Sequence, residues 1–255
     1  MTFRIPKRLR EEPLIEAIWQ VQFEPAPDQA LGDVLPGVLF SALRTQHADL
    51  KIHRLPVAEI PAQVAALDPN LRFAVKYRIE APSWPYLVQI GDRVITLNCR
   101  RPYAGWDAFK TQTLELIAIL ENSGLIPAPR RHSLRYIDLL ALDTPPALAS
   151  LRLALDIGEH RIDQHPLQLR VELPDTDCLH VLQIVTPAQV TLPDGEQHGT
   201  LIDLETLTDL HRQSWDEVRG GLDALHTASK TLFFCQLLTK QATERMGPEY
   251  EGSEP

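Results

Sequence analysis

The 255-residue sequence predicts an α+β fold of two tandem strand-helix-three-strand-helix units, and three observations carry that expectation. Trp106-Asp107 and Trp215-Asp216 each open a helical stretch. The segments upstream of both pairs run through strands and helices in the same order and at nearly the same separation, with Phe23 falling opposite Leu142. Apolar period-two runs, which mark half-buried strands, alternate with apolar residues at helical spacing. The competing account is that Trp-Asp recurs by chance in a mixed chain. On the duplication reading, residues 1–130 form the first unit and residues 131–255 the second, within one compact domain.

The elements follow in order. Ile15, Ala17, Trp19, Val21 and Phe23 alternate with other residues after Pro13, predicting a strand that Pro25 and Pro27 stop. Residues 28–46 have helical apolar spacing, with Pro36 placed to bend the helix or delay its start. Residues 51–70 predict a connection with a short helix over 62–67. Strands are expected over 72–79, 86–90 and 93–99, the last two joined by Gly91-Asp92 in a type II′ turn, where the first central residue has positive φ. A helix over 106–122 should end at Ser123-Gly124.

The second pass predicts a strand over 132–142 stopped by Asp143-Thr144-Pro145-Pro146, a helix over 147–155, and strands over 167–173, 178–186 and 200–207, with a turn at Asp194-Gly195. Ser214-Trp215-Asp216-Glu217 has capping-box spacing, and the helix it opens is expected to reach Met246 before Gly247-Pro248 stops it.

Composition bounds the function classes. Forty-four per cent apolar residues suffice for a sizeable core. No stretch approaches eighteen uninterrupted apolar residues and no apolar run follows the basic N-terminus, so the expectation is a soluble cytoplasmic protein with no membrane partner. Cys99, Cys178 and Cys235 are odd in number and far apart, suggesting reduced thiols and neither a disulfide framework nor a thiolate zinc site. A net charge of −9 opposes sequence-independent attachment to nucleic acid. Within that acidic chain, Arg100-Arg101 and Arg130-Arg131 with Arg135 form two basic islands, which the plainer reading treats as solvated arginines.

Two such units commonly pair their sheets into one curved antiparallel sheet with helices on the convex face, an arrangement resembling TATA-binding-protein-like and helix-grip folds. The uncovered face is then the place to look for function. It would display Glu16, Ile18, Gln20 and Gln22 from the first strand and Arg135, Ile137, Leu139 and Ala141 from its counterpart. Glu16 and Arg135 occupy equivalent positions and either form an ion pair near a pseudo-twofold axis or are unrelated surface charges.

The loop over 98–106 joins a strand to a helix N-terminus and combines Arg100 and Arg101 with Tyr103 and Trp106. Backbone amides at such a terminus favour anions, and arginine forks grip carboxylate or phosphate, so the loop is a candidate anion site. In the alternative, Tyr103 and Trp106 staple the loop to the core.

Pro13-Leu14-Ile15-Glu16-Ala17-Ile18, Gly91-Asp92-Arg93-Val94, Asn98-Cys99 with Pro102-Tyr103 and Gly105-Trp106, and Leu134-Arg135-Tyr136-Ile137-Asp138 together resemble a sporadically distributed, functionally uncharacterised prokaryotic family. Leu225-His226, Phe233 or Phe234, and Leu238-Thr239 fit its last helix. Asp138 departs from that pattern, which has asparagine there. The resemblance implies no activity; its patchy distribution implies a mobile-element or defence neighbourhood.

Signatures of catalysis are weak. Cys99 beside two arginines is a thiolate candidate, although a buried strand-end thiol is the stronger expectation. His160 and His165 do not share a helical face, and among the carboxylates Asp194, Glu196, Asp203 and Glu205 the last two alternate along a strand and equally fit its solvent face, while His226 is a lone helix histidine. The sequence therefore favours a non-catalytic binding or accessory module, without metal or cofactor, recognising a protein segment or an anionic group through Glu16, Arg100, Arg101, Tyr103, Trp106, Arg135 and Tyr136. Nucleic-acid recognition by the arginines, with Tyr103 or Tyr136 stacking on bases, is the alternative. An enzyme assembled from separate loops stands third, and the apolar stripe of the last helix leaves a homodimer open.

Overall fold

The computed structural model describes residues 4–26, 29–60, 68–142, 148–193, 195–208, 211 and 213–250. Among the described residues the chain is α+β, with a large antiparallel sheet and few helices. Its Cα framework divides into two compact units. The first comprises Glu16–Arg135 with Leu207–Asp223; the second comprises Met1–Ile15, Tyr136–Thr206 and Ala224–Pro255. Among the described residues, no helix is long and apolar enough to cross a membrane.

Two-residue strand β1 (Arg8–Leu9) precedes strand β2, which spans Leu14–Phe23 as the alternation predicts. Ala17, Trp19, Val21 and Phe23 are buried on one side, because successive strand side chains point to opposite faces. Helix α1 (Leu31–Leu43) starts later than the spacing suggests and holds Pro36 inside it, where the missing amide cannot bond the Gly32 carbonyl. Gly32 is needed for contact: a Cβ there would come within 2.2 Å of Asp92 Oδ1, and Asp92 is itself held by Lys76. Strand β3 (Lys51–Arg54) has no apolar alternation and escaped the sequence reading; it forms by pairing with the edge of β4 (Val75–Ala81). The short helix expected over 62–67 lies outside the described residues.

Strands β5 (Trp84–Gly91) and β6 (Val94–Arg100) form the expected hairpin, but the reason for its glycine differs. Gly91 ends β5 without positive φ, and a Cβ on it would lie 2.3 Å from the Ala74 carbonyl oxygen, so close backbone approach selects glycine here. Helix α2 (Trp106–Asn122) has the predicted limits, with Gly105 at φ 88° before it and Gly124 at φ 64° after it. In the first unit the strand order is β2-β6-β5-β4-β3, and α1 packs on β4 and β5. Trp19, Leu35, Leu39, Ile90, Leu97, Phe109 and Leu116 fill its core.

In the second unit the order is β10-β11-β12-β7, where β7 is Pro129–Leu140, β10 Leu167–Pro174, β11 Leu179–Leu192 and β12 Gly195–Leu207. The helix expected over 147–155 is absent from residues 148–155: Leu148–Ser150 makes a single 3-10 turn, and the short strands β8 (Asp156–Ile157) and β9 (His160–Arg161) follow. Here the backbone finds distant partners, with Arg152 N–H donating to the Leu237 carbonyl and Thr239 N–H to that of Ser150, while Leu148 and Leu151 enter the core. The strand stop at 143–146 and Asp194 lie outside the described residues.

Helix α3 (Trp215–Lys230) opens with the reciprocal capping box: Ser214 N–H donates to Glu217 Oε2 at 2.6 Å, and Glu217 N–H donates to Ser214 Oγ at 3.2 Å. It does not continue to Met246. A π-helical segment, Thr231–Leu237, follows, Leu238 is extended, and Thr239 caps a new helix α4 (Lys240–Arg245) before β13 (Pro248–Glu249) pairs with β1. The break lets Leu232, Phe233, Leu237 and Leu238 join Leu9, Ile184, Ile202 and Met246 in one cluster, which a straight helix with a narrower apolar stripe would not permit.

Candidate functional site

The polar face of the first unit is built by register. Glu16 lies opposite Arg100, Ile18 opposite Asn98, and Gln20 opposite Thr96 on β2 and β6, while β5 and β4 extend the face through Leu87, Gln89, Arg78 and Glu80. It is not a bare solvated surface, since Thr96, Asn98 and Leu87 on it are buried. The polar groups satisfy one another: Asn98 Nδ2 donates to Glu16 Oε1 at 3.0 Å, Thr96 Oγ1 donates to Asn98 Oδ1 at 2.6 Å, and Arg100 Nε stands 3.9 Å from the same Glu16 oxygen. Thus the groups near Glu16 include two β6 residues, Asn98 and Arg100. Arg135 is half-buried on β7.

Arg100 also lines a cleft of about 360 Å³ with Lys51, His53, Glu80, Trp84 and Tyr86. Glu80 is engaged by Arg78 at 2.9 Å and by His53 at 3.4 Å. Among the described residues, no carboxylate comes within ion-pair distance of Lys51 or Arg101. The lining therefore combines aromatic walls with Lys51, His53 and Arg100 against one carboxylate, Glu80, while Glu16 meets Arg100 from outside it at 3.9 Å. That chemistry suits a carboxylate or another anion carried on an apolar stem.

The loop over 98–106 splits in two. Arg100 faces the cleft and Arg101 is exposed beside the cis Arg101–Pro102 bond, whereas Tyr103 and Trp106 turn toward Phe109, at ring distances of 6.1 and 6.4 Å. Trp106 Nε1 donates to Asp223 Oδ1 at 3.0 Å, and Lys110 bonds the other oxygen of that carboxylate at 2.6 Å. Phe109 continues a row of rings through Tyr86 and Trp84 to His47. Burial pushes the Tyr86 hydroxyl up to about 12, so it stays protonated. Tyr103 and Trp106 pack toward the Phe109 ring, the geometry that the stapling alternative describes.

Cys99 is fully buried and its thiol is pushed up, first by burial, so the flanking arginines do not yield a thiolate. In the second unit, Tyr136 places its hydroxyl 2.9 Å from His226 Nδ1, which accounts for the lone helix histidine. His53, Arg78, Glu80 and Trp84 were missed in the sequence because they come from three strands, β3, β4 and β5; their one local signal was the alternation of Arg78 with Glu80 along β4. No family model matches the chain, and no curated protein shows significant similarity to it.

Proposed function

We propose that this chain is a non-catalytic binding or accessory module that takes an anionic group of a partner protein segment into the Lys51–Arg100 cleft. The lining of Lys51, His53 and Arg100 with one carboxylate, Glu80, against the Trp84 and Tyr86 walls carries the reading. A cytoplasmic setting, membership of the sporadic family whose motifs the chain resembles, and its mobile-element or defence neighbourhood belong to the same proposal. So does the duplicated, TATA-binding-protein-like or helix-grip-like architecture. It is supported by matching orders within the units, β2-β6-β5-β4 and β7-β12-β11-β10, and by helices starting at Trp106 and Trp215.

Nucleic-acid recognition fits less well, because the chain carries a net charge of −9. The test is capture of partners by the tagged protein from its native cells, with and without nuclease. A stoichiometric protein that survives nuclease and binds Lys51→Ala/Arg100→Ala roughly 10–100-fold more weakly, with unchanged melting temperature, is expected from the loss of charged hydrogen bonds. Arg101→Ala, outside the cleft, should bind normally. Recovery of nucleic acid alone, or equal losses from Arg101→Ala and the cleft variant, overturns the reading.

A further inference from the structure

The β10–β11 hairpin turn gathers three unlike donors. Asp175 N–H donates to the Cys178 carbonyl at 2.9 Å and closes the turn, and Pro174 pairs with Leu179 beneath it. Cys178 and His180 are two residues apart, so extended backbone aims both side chains to one side. Cys178 Sγ lies 3.8 Å from His180 Nε2, and Asp175 Oδ2 lies 3.6 Å from the same nitrogen. All three donor atoms fall within 4.8 Å of one another.

The convergence on one nitrogen separates two chemistries. In a nucleophile-base-carboxylate relay, thiol and carboxylate sit on opposite nitrogens of the imidazole. Here both approach Nε2, while Nδ1 lies 2.8 Å from Thr206 Oγ1. Ser229 Oγ is 2.7 Å from that hydroxyl oxygen and 2.8 Å from the Leu225 carbonyl oxygen. Ser229 Oγ is the donor toward both, and Thr206 Oγ1 can accept from Nδ1–H as well, which is the tautomer that metal binding at Nε2 takes. That leaves the Nε2 lone pair aimed at Cys178 and Asp175. His180 is buried, so its ring is held in place, whereas Asp175 is exposed, with Oδ1 accepting from Thr176 N–H at 2.8 Å and Oδ2 turned toward His180.

We infer that Asp175, Cys178 and His180 form a three-ligand site for a borderline-soft divalent cation of the zinc class. Tetrahedral bonds of zinc length place sulfur about 3.5 Å from nitrogen and nitrogen about 3.4 Å from oxygen, a few tenths of an ångström inside the separations seen. Mixed thiolate, imidazole and carboxylate donors select zinc over magnesium or calcium, and the Nδ1–Thr206 bond is the outer-shell contact that orients a metal-binding histidine. The fourth position falls to water or to an outside donor. The cysteine arithmetic of the sequence missed this set because it holds one cysteine, and only Asp-x-x-Cys-x-His spacing signals it.

The whole purified protein, reduced and stripped with chelator, should be titrated with Co²⁺ and then Zn²⁺. One equivalent should bind with a thiolate-to-cobalt charge-transfer band that zinc abolishes. Cys178→Ser should lose the band and His180→Gln should weaken binding, with Cys235→Ser unchanged. Thr206→Val, which touches no metal, should weaken binding by about 10–100-fold. Should His180→Gln misfold, Asp175→Asn on the exposed turn gives the same reading with circular dichroism as the folding control. Absence of a charge-transfer band in the folded protein, or a band that persists in Cys178→Ser, overturns the assignment.

Discussion

Replacing Asp138 with asparagine should stabilise this protein, increasingly so as the pH rises. Asp138 is 5% exposed on β7, and burial, helped by the nearby Asp203 carboxylate, pushes its pKa up to about 8 from an ordinary value of 3.8. A raised carboxyl pKa means that the folded state binds the proton more tightly than the unfolded chain. Its favourable contribution is complete below pH 3.8 and is lost progressively as the pH climbs toward 8. Against an asparagine that never ionises, the wild type should fall behind by about 1.4 kcal/mol per pH unit across that window, reaching about 4 kcal/mol by pH 7 and levelling off only near pH 8. His132 pulls the other way: burial lowers its pKa to about 4, so its contribution is lost as pH falls through the range between 6.5 and 4. The observable is therefore the difference between wild type and Asp138→Asn in urea denaturation from pH 4.5 to 8, in which the His132 contribution cancels. A difference that does not grow with pH would refute the premise that Asp138 is held as a neutral acid.

Two further predictions rest on packing. Trp215→Ala should cost about 3–5 kcal/mol, since its ring is buried and its indole N–H donates to the Ile126 carbonyl at 3.3 Å, whereas the half-buried Trp106→Ala should cost less but still measurably; no loss from Trp106→Ala in parallel denaturation curves would contradict the staple reading. Gly91→Ala should destabilise by more than about 1 kcal/mol because its Cβ meets the Ala74 carbonyl, while Gly37→Ala, exposed in mid-α1 with nothing within 4 Å, should raise stability by roughly 0.5–1 kcal/mol. Thermal melts showing the same sign for both glycines would refute the distinction.

Local chemistry made much of the chain legible. Strand β2 could be read because period-two alternation needs only a sheet with one side buried, and α2 because Gly105 and Gly124 punctuate it. The Ser214–Glu217 cap was readable for the same reason: donor and acceptor lie three residues apart. Arg100 could be singled out as a candidate for anion binding, but Tyr103 and Trp106 carry the same local signal whether they face a ligand or Phe109. Position in three dimensions alone separates those roles.

What the sequence by itself determined, then, is the α+β class, the limits of β2 and α2, and the start of α3, all governed by contacts within a few residues. The tertiary structure decided where Lys51, Glu80 and Arg100 meet, because they come from three strands joined only by sheet register. It also decided that α3 breaks at Thr231, since the cost of leaving regular helix is offset by burying Leu237 and Leu238 in a core assembled from residues more than two hundred positions apart.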